Sequence, residues 1–88
     1  MSPDEFDRLR RAEGWGEPRR VRFEASSRSP PHVHDQASFV YVLDGAFVLN
    51  TSDGATRYRP GETCMLDAHV EHAEEAGPDG ATILVARK

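Results

Sequence analysis

A single cysteine, Cys64, stands in the 88 residues of this chain. One thiol excludes an internal disulfide and any metal site built from several thiolates, so the usual staples of very small domains are missing. Histidine must supply any metal site. Long apolar runs are missing as well: no stretch approaches the roughly 20 residues of a membrane span, and the polar opening MSPDEFDRLRR has no apolar signal-peptide core. A soluble, cytoplasmic chain that does not enter a membrane is expected. Nor is there an excess of positive charge. The chain has 11 Lys+Arg against 15 Asp+Glu, a net charge of −4. Arg10–Arg11 and Arg19–Arg20 are diluted by Glu13 and Glu17, and no helix-turn-helix pattern follows. No nucleic-acid partner is expected. The length allows one domain. A domain this small buries only about 60–65% of its unfolded surface, so association into a homodimer is expected to help it.

What the sequence does contain is punctuated. Ser2, Pro3 and Glu5 form a capping-box pattern that predicts a short helix with Phe6 and Leu9 on one face. Gly14 and Gly16 end it, with Trp15 between them as an apolar plug. From Arg20 the period becomes two: Val21, Phe23 and Ala25 alternate with Arg22 and Glu24, the pattern of a half-buried strand. Phe39–Leu43 is an apolar run ending at Asp44–Gly45, which predicts a hairpin returning over Ala46–Asn50. Further strands are expected at Ala55–Arg59, Thr63–Leu66, His72–Ala76 and Ala81–Ala86, the last after a Gly77–Pro78–Asp79–Gly80 turn. Some seven short strands with no helix between them indicate an all-β antiparallel sandwich or barrel. Its core candidates are Phe23, Phe39, Val42, Phe47, Leu49, Leu66, Ile83 and Val85.

The four histidines, at 32, 34, 69 and 72, fall into two tight groups. In an extended segment residues i and i+2 share a face, so His32 and His34 project side by side. A barrel can bring the second group opposite the first. Three imidazoles around one metal leave positions open for water or substrate.

The stretch SSRSPPHVHDQASFVYVLDG resembles the first motif of the cupins, Gly-x5-His-x-His-x3,4-Glu-x6-Gly. GETCMLDAHVEHAEEA resembles the second, Gly-x5-Pro-x-Gly-x2-His-x3-Asn. His32, His34, Gly45, Gly61 and His72 fall in register, and the tail GPDGATILVARK is similar to the closing strand of small single-domain bacterial cupins of the RmlC-like superfamily. The resemblance implies a cupin jelly-roll barrel over residues 20–88, with residues 1–19 as an N-terminal helix and lead-in. It implies a divalent transition metal (Fe, Mn, Ni, Zn or Cu) on His32, His34 and His72. Ser38 stands where the family's Glu ligand would be, so the site reads as three histidines without a carboxylate. Asp67, His69 and Ala76 replace the Pro, Gly and Asn of the second motif, and His69 then occupies a backbone position suited to glycine. Ser38, Tyr41, Tyr58, His69 and Glu74 are candidates for contact with a substrate or for support of the ligands; Gln36 is a further polar candidate at the barrel mouth. Cys64 reads as a small buried hydrophobe. The implied function is a small metal-binding cupin, a three-histidine metal-dependent oxygenase or isomerase acting on a small polar molecule. The alternative is a non-enzymatic, small-molecule-binding or sensory module.

Overall fold

The capping box forms. In a computed structural model describing residues 1–88, helix α1 spans Pro3–Ala12. The Glu5 amide donates to Ser2 Oγ, and the Ser2 amide donates to Glu5 Oε1, each at 3.2 Å. This side of the molecule has its own core: Phe6, Trp15, Phe39, Tyr41 and Ala86. Phe6 lies 4.8 Å from Phe39 and 5.5 Å from Tyr41, ring to ring, and Trp15 is the expected plug, 5.5 Å from Phe39. No helix is long and apolar enough to cross a membrane.

Five antiparallel strands follow: β1 (Arg19–Phe23), β2 (Ser38–Thr51), β3 (Gly54–Tyr58), β4 (Thr63–Leu66) and β5 (Ala73–Arg87). The spine is the pair β2–β5, matched from Ser38↔Arg87 to Asn50↔Ala73. β1 lies along the second half of β5, from Arg19↔Val85 to Phe23↔Ala81. β4 joins the first half of β2, β3 the second.

The expected all-β architecture is present, but two of its turns are not. Asp44–Gly45 lies inside β2 and Gly77–Gly80 inside β5, so the seven short strands are five, two of them long. Where these segments meet, the register slips between Val42 and Asp44 and again between Gly45 and Phe47. Gly45 (φ 77°) and Gly80 (φ 82°) take left-handed conformations there, and a Cβ on Gly45 would run into the Gly80 carbonyl. The same residues that favour a tight turn here make a bulge that bends two paired strands together.

That bulge decides which residues face inward. Before it Val40 and Val42 point into the barrel; after it Phe47 and Leu49 do, because the slip reverses the alternation. On β5, Ala76 lies inside on one side of the bend and Ala81, Ile83 and Val85 on the other. With Cys64 these nine residues form the barrel core, against which Phe23 and Leu66 are half-buried. Phe39 and Tyr41, of opposite parity to Val40, face α1 instead.

Candidate metal centre

The irregular segment between β1 and β2 returns across the barrel and makes an isolated bridge, His32↔His72. The His32 amide donates to the His72 carbonyl at 2.8 Å and the His72 amide to the His32 carbonyl at 3.0 Å. Residues paired in this way carry their side chains to the same face. His34, two residues beyond His32, and Glu74, two beyond His72, then share that face by strand periodicity. The outcome is a two-by-two patch in which one ligand atom from each of His32, His34, His72 and Glu74 lies within 4.8 Å of the others. Ring centroids are 4.4 Å apart for His32–His72, 5.0 Å for His32–His34 and 5.2 Å for His34–His72.

Two backbone carbonyls fix the chemistry of this patch. His32 Nδ1 lies 2.9 Å from the Pro30 carbonyl and His72 Nδ1 2.9 Å from the Val70 carbonyl. A carbonyl only accepts, so each Nδ1 donates, and in the Nδ1–H tautomer each Nε2 presents a lone pair. Both face the same carboxylate oxygen: Glu74 Oε1 is 2.8 Å from His32 Nε2 and 3.5 Å from His72 Nε2. Acceptors converge on one point, and a cation, a shared proton or a metal, reconciles them. Outer hydrogen bonds of this kind also orient imidazoles for ligation. The pKa of His34 is lowered by burial first, then by the Arg87, His32 and His72 charges, against an opposing pull from Glu74. That direction favours the neutral form that binds metals.

The sequence-predicted triad is therefore brought together, with one correction. Glu74, expected beside the three histidines, brings a carboxylate into the cluster from β5, whereas position 38 offers none. The signal for it was available: His72 and Glu74 have the same i, i+2 spacing as His32 and His34. Ser38 is buried beside the site and its hydroxyl accepts from Arg87 Nη1 at 3.1 Å. Tyr41 does not reach the barrel mouth. It lies on the outer face, where its hydroxyl donates to the Met1 carbonyl at 2.8 Å. Tyr58 packs against the barrel core rather than lining the cavity, and burial raises its pKa. Gln36 is exposed and also lies outside the cavity lining.

His69 is exposed and outside the cluster. Its φ of 66° confirms the glycine-like backbone position, and its amide donates to the His34 carbonyl at 2.8 Å. The backbone of residue 69 thus steadies the His34 segment while its ring lies outside the cluster. His69→Gly is expected to keep the full metal content and to melt no lower than the parent, since glycine removes a left-handed strain of about 1–2 kcal/mol. Metal loss in that variant, measured by elemental analysis, would make the ring a ligand.

The histidine–glutamate patch forms the polar end of a cavity of about 210 Å³ walled by Val21, Phe23, Val40, Leu66, Ile83 and Val85, among others. That is smaller than the roughly 300–1,000 Å³ of pockets for drug-sized ligands, so an occupant has few atoms. Cys64 is also in the wall. Burial, then the Glu74 charge, pushes its thiol up to about 12. A thiol in that state is a poor nucleophile. Iodoacetamide at pH 8 is expected to leave Cys64 unmodified in the native chain and to alkylate it once urea unfolds the protein. Equal rates in both states would place the thiol at the surface.

A family model described as Cupin domain matches residues 19–86. Among solved structures, KdgF from Halomonas sp. is similar at 27% identity with a TM-score of 0.65, over 77% of this chain and 64% of that one. This chain thus spans less than two thirds of that relative. A cupin-2 domain containing protein from Shewanella frigidimarina NCIMB 400 matches at 21% identity, TM-score 0.68, over 78% of this chain and 76% of the other. A chain in the complex of Rhodobacter sphaeroides SigE with the anti-sigma ChrR matches at 25% identity, TM-score 0.68, over 81% of this chain and 38% of that one. None of the curated proteins matches the sequence.

Proposed function

The chain belongs to the cupin domain family, and on that footing we propose that it binds one divalent transition metal through His32, His34, His72 and Glu74 and receives a small polar molecule in the cavity above it. One observation carries this reading: four ligand atoms within 4.8 Å of one another at the polar end of an apolar pocket. Three nitrogens and one carboxylate oxygen suit Fe, Mn, Ni, Zn or Cu, with Cu and Zn favoured by intrinsic affinity. When bound, the metal supplies a Lewis acid able to polarise a ligand oxygen.

The chain's own residues define the remaining chemistry. The apolar wall lowers the dielectric around the polar end and strengthens the electrostatic contacts there. Glu74 offers one carboxylate oxygen to the metal, and its second oxygen is able to accept a proton released from a bound molecule. This favours an enzyme that works on a small polar substrate, an oxygenase or isomerase. A binding or sensory module is the second reading, favoured by the likeness to a chain of the SigE–ChrR complex. Association into a homodimer, in the cytoplasm, belongs to the same proposal.

The test is elemental analysis of tag-free protein purified without chelator, beside a His34→Ala variant. About one metal per chain in the parent, lost in the variant, supports the reading; no metal in either after reloading overturns it. Turnover by the loaded protein of small thiols, diketones or phenolics, followed by oxygen uptake, separates the enzyme from the binding module.

A further inference from the structure

We propose that Arg87 makes this cavity a receptor for a small carboxylate, gripped by the guanidinium while the adjoining atoms of the ligand face the His32–His34–His72–Glu74 cluster. The inference rests on the reading of the cavity as a ligand site and deepens it by naming the ligand's class.

Arg87 continues the inward alternation of Ile83 and Val85 and is paired across the spine with Ser38. Its side chain lines the cavity, half-buried. A guanidinium is charged at any ordinary pH and offers five donors. The partner here is the Ser38 hydroxyl, neutral and buried. No carboxylate comes within ion-pairing distance of Arg87; Arg10, Arg11, Arg22 and Arg28 have such partners, and the other arginines without one are exposed, whereas Arg87 lines the cavity. Glu74, the acid of the cavity lining, is engaged with His32 and His72 instead. A cation partly withdrawn from water with no counter-ion carries part of its desolvation cost, and an anionic ligand offsets it.

The charges point the same way. The chain is acidic as a whole, at −4, but Glu74 and Arg87 cancel, so a divalent metal leaves this cavity positive. Shape selects among anions. One planar guanidinium fork matches one carboxylate through two parallel hydrogen bonds, and the small apolar cavity of about 210 Å³ suits a short hydrocarbon body. The Ser38 hydroxyl holds the fork in place and is a positioning group.

Isothermal titration of the metal-loaded chain tests this with sodium butyrate, butyramide as the uncharged isostere and inorganic phosphate, metal content being measured on the same samples. Butyrate is expected to bind and butyramide not to. Arg87→Met should weaken butyrate about tenfold or more, the worth of a hydrogen bond to a charged group, at unchanged metal content. Arg87→Lys should recover part of the loss. Butyrate binding no tighter than butyramide overturns the proposal while leaving the metal reading intact, and so does undiminished binding by Arg87→Met. Phosphate bound through Arg87 with butyrate refused also overturns it. Butyrate binding that depends on Arg87 in a chain that takes up no metal upholds the proposal and sinks the metal reading instead. Should Arg87→Met fail to fold by circular dichroism, the comparison of butyrate with butyramide on the metal-free parent chain decides, since no metal is there to hold the carboxylate.

Discussion

Gly45→Ala is expected to remove a large fraction of the stability of the fold, about 2–5 kcal/mol. Two costs combine at this position. A φ of 77° is a left-handed conformation, which costs an L-residue about 1–2 kcal/mol. The added Cβ also runs into the Gly80 carbonyl, with the Gly80 carbon and the Ala81 Cα at 2.8 and 3.0 Å behind it. These are backbone atoms of β5 and have no rotamer to yield, so the two spine strands must part at the bend, at about 1–3 kcal/mol or more. Domains of this kind are stable by roughly 0.05–0.15 kcal/mol per residue, and the combined loss is a large fraction of that. Gly14→Ala is the control: its φ is 79°, yet nothing lies within 4 Å of its Cβ position. It should lose the conformational share alone. Urea denaturation of both variants gives the answer, and equal destabilisation would show that the contact with Gly80 is not what the bend depends on.

Metal binding should raise the melting temperature by roughly 10–30 °C. A ligand present at 100 to 1,000 times its dissociation constant stabilises the folded state by about 2.7–4.1 kcal/mol. Each kcal/mol moves the midpoint of a domain this small by about 4–8 °C. His72→Ala, which removes a proposed ligand that is 4% exposed, should erase the increment. So should acid. Protons and metal compete for the same lone pairs, so the increment is expected in full above the ordinary imidazole pKa near 6.5 and to shrink below about pH 6. The lowered pKa of His34 has the same sign: the unfolded chain takes up that proton first, so stability is present above the unfolded value and lost as pH falls through the folded one. Scanning calorimetry at pH 7.5 and 5.5, with and without added zinc, reads all of this. An unchanged midpoint on adding metal at pH 7.5 would remove the metal from the account.

The parts of this fold written in the sequence are those set by short-range rules. Ser2, Pro3 and Glu5 specify a helix start over one turn, and His32 and His34 share a face because strands have a period of two. Asp44–Gly45 and Gly77–Gly80 misled because glycine signals only that the backbone needs a positive φ. Whether the chain then reverses or bulges depends on what pairs with it, and the partner of Gly45 is Ala81, 36 positions along the chain. Tyr41 was misplaced for a related reason. In Phe39–Leu43 both faces are covered, one by the barrel and one by α1, so hydrophobicity does not reveal which parity faces inward. Arg87 is the residue to which the alternation of Ile83 and Val85 leads. A cation closing an inward apolar series was the signal, and it lies in no motif.

The spine has a consequence for the order in which the molecule comes into being. β2 and β1 both find their partners in β5, with Ser38 matched to Arg87 and Arg19 to Val85. Loops that long must close before any pairing energy returns, which places such topologies in the slow range of milliseconds to seconds. On a ribosome, α1 and the β2–β3 hairpin can form while synthesis continues, but the barrel has no wall until residues 73–87 have emerged. Until then the apolar faces of β2 stand exposed, and the histidines of the two motifs belong to separate, unconnected pieces of chain.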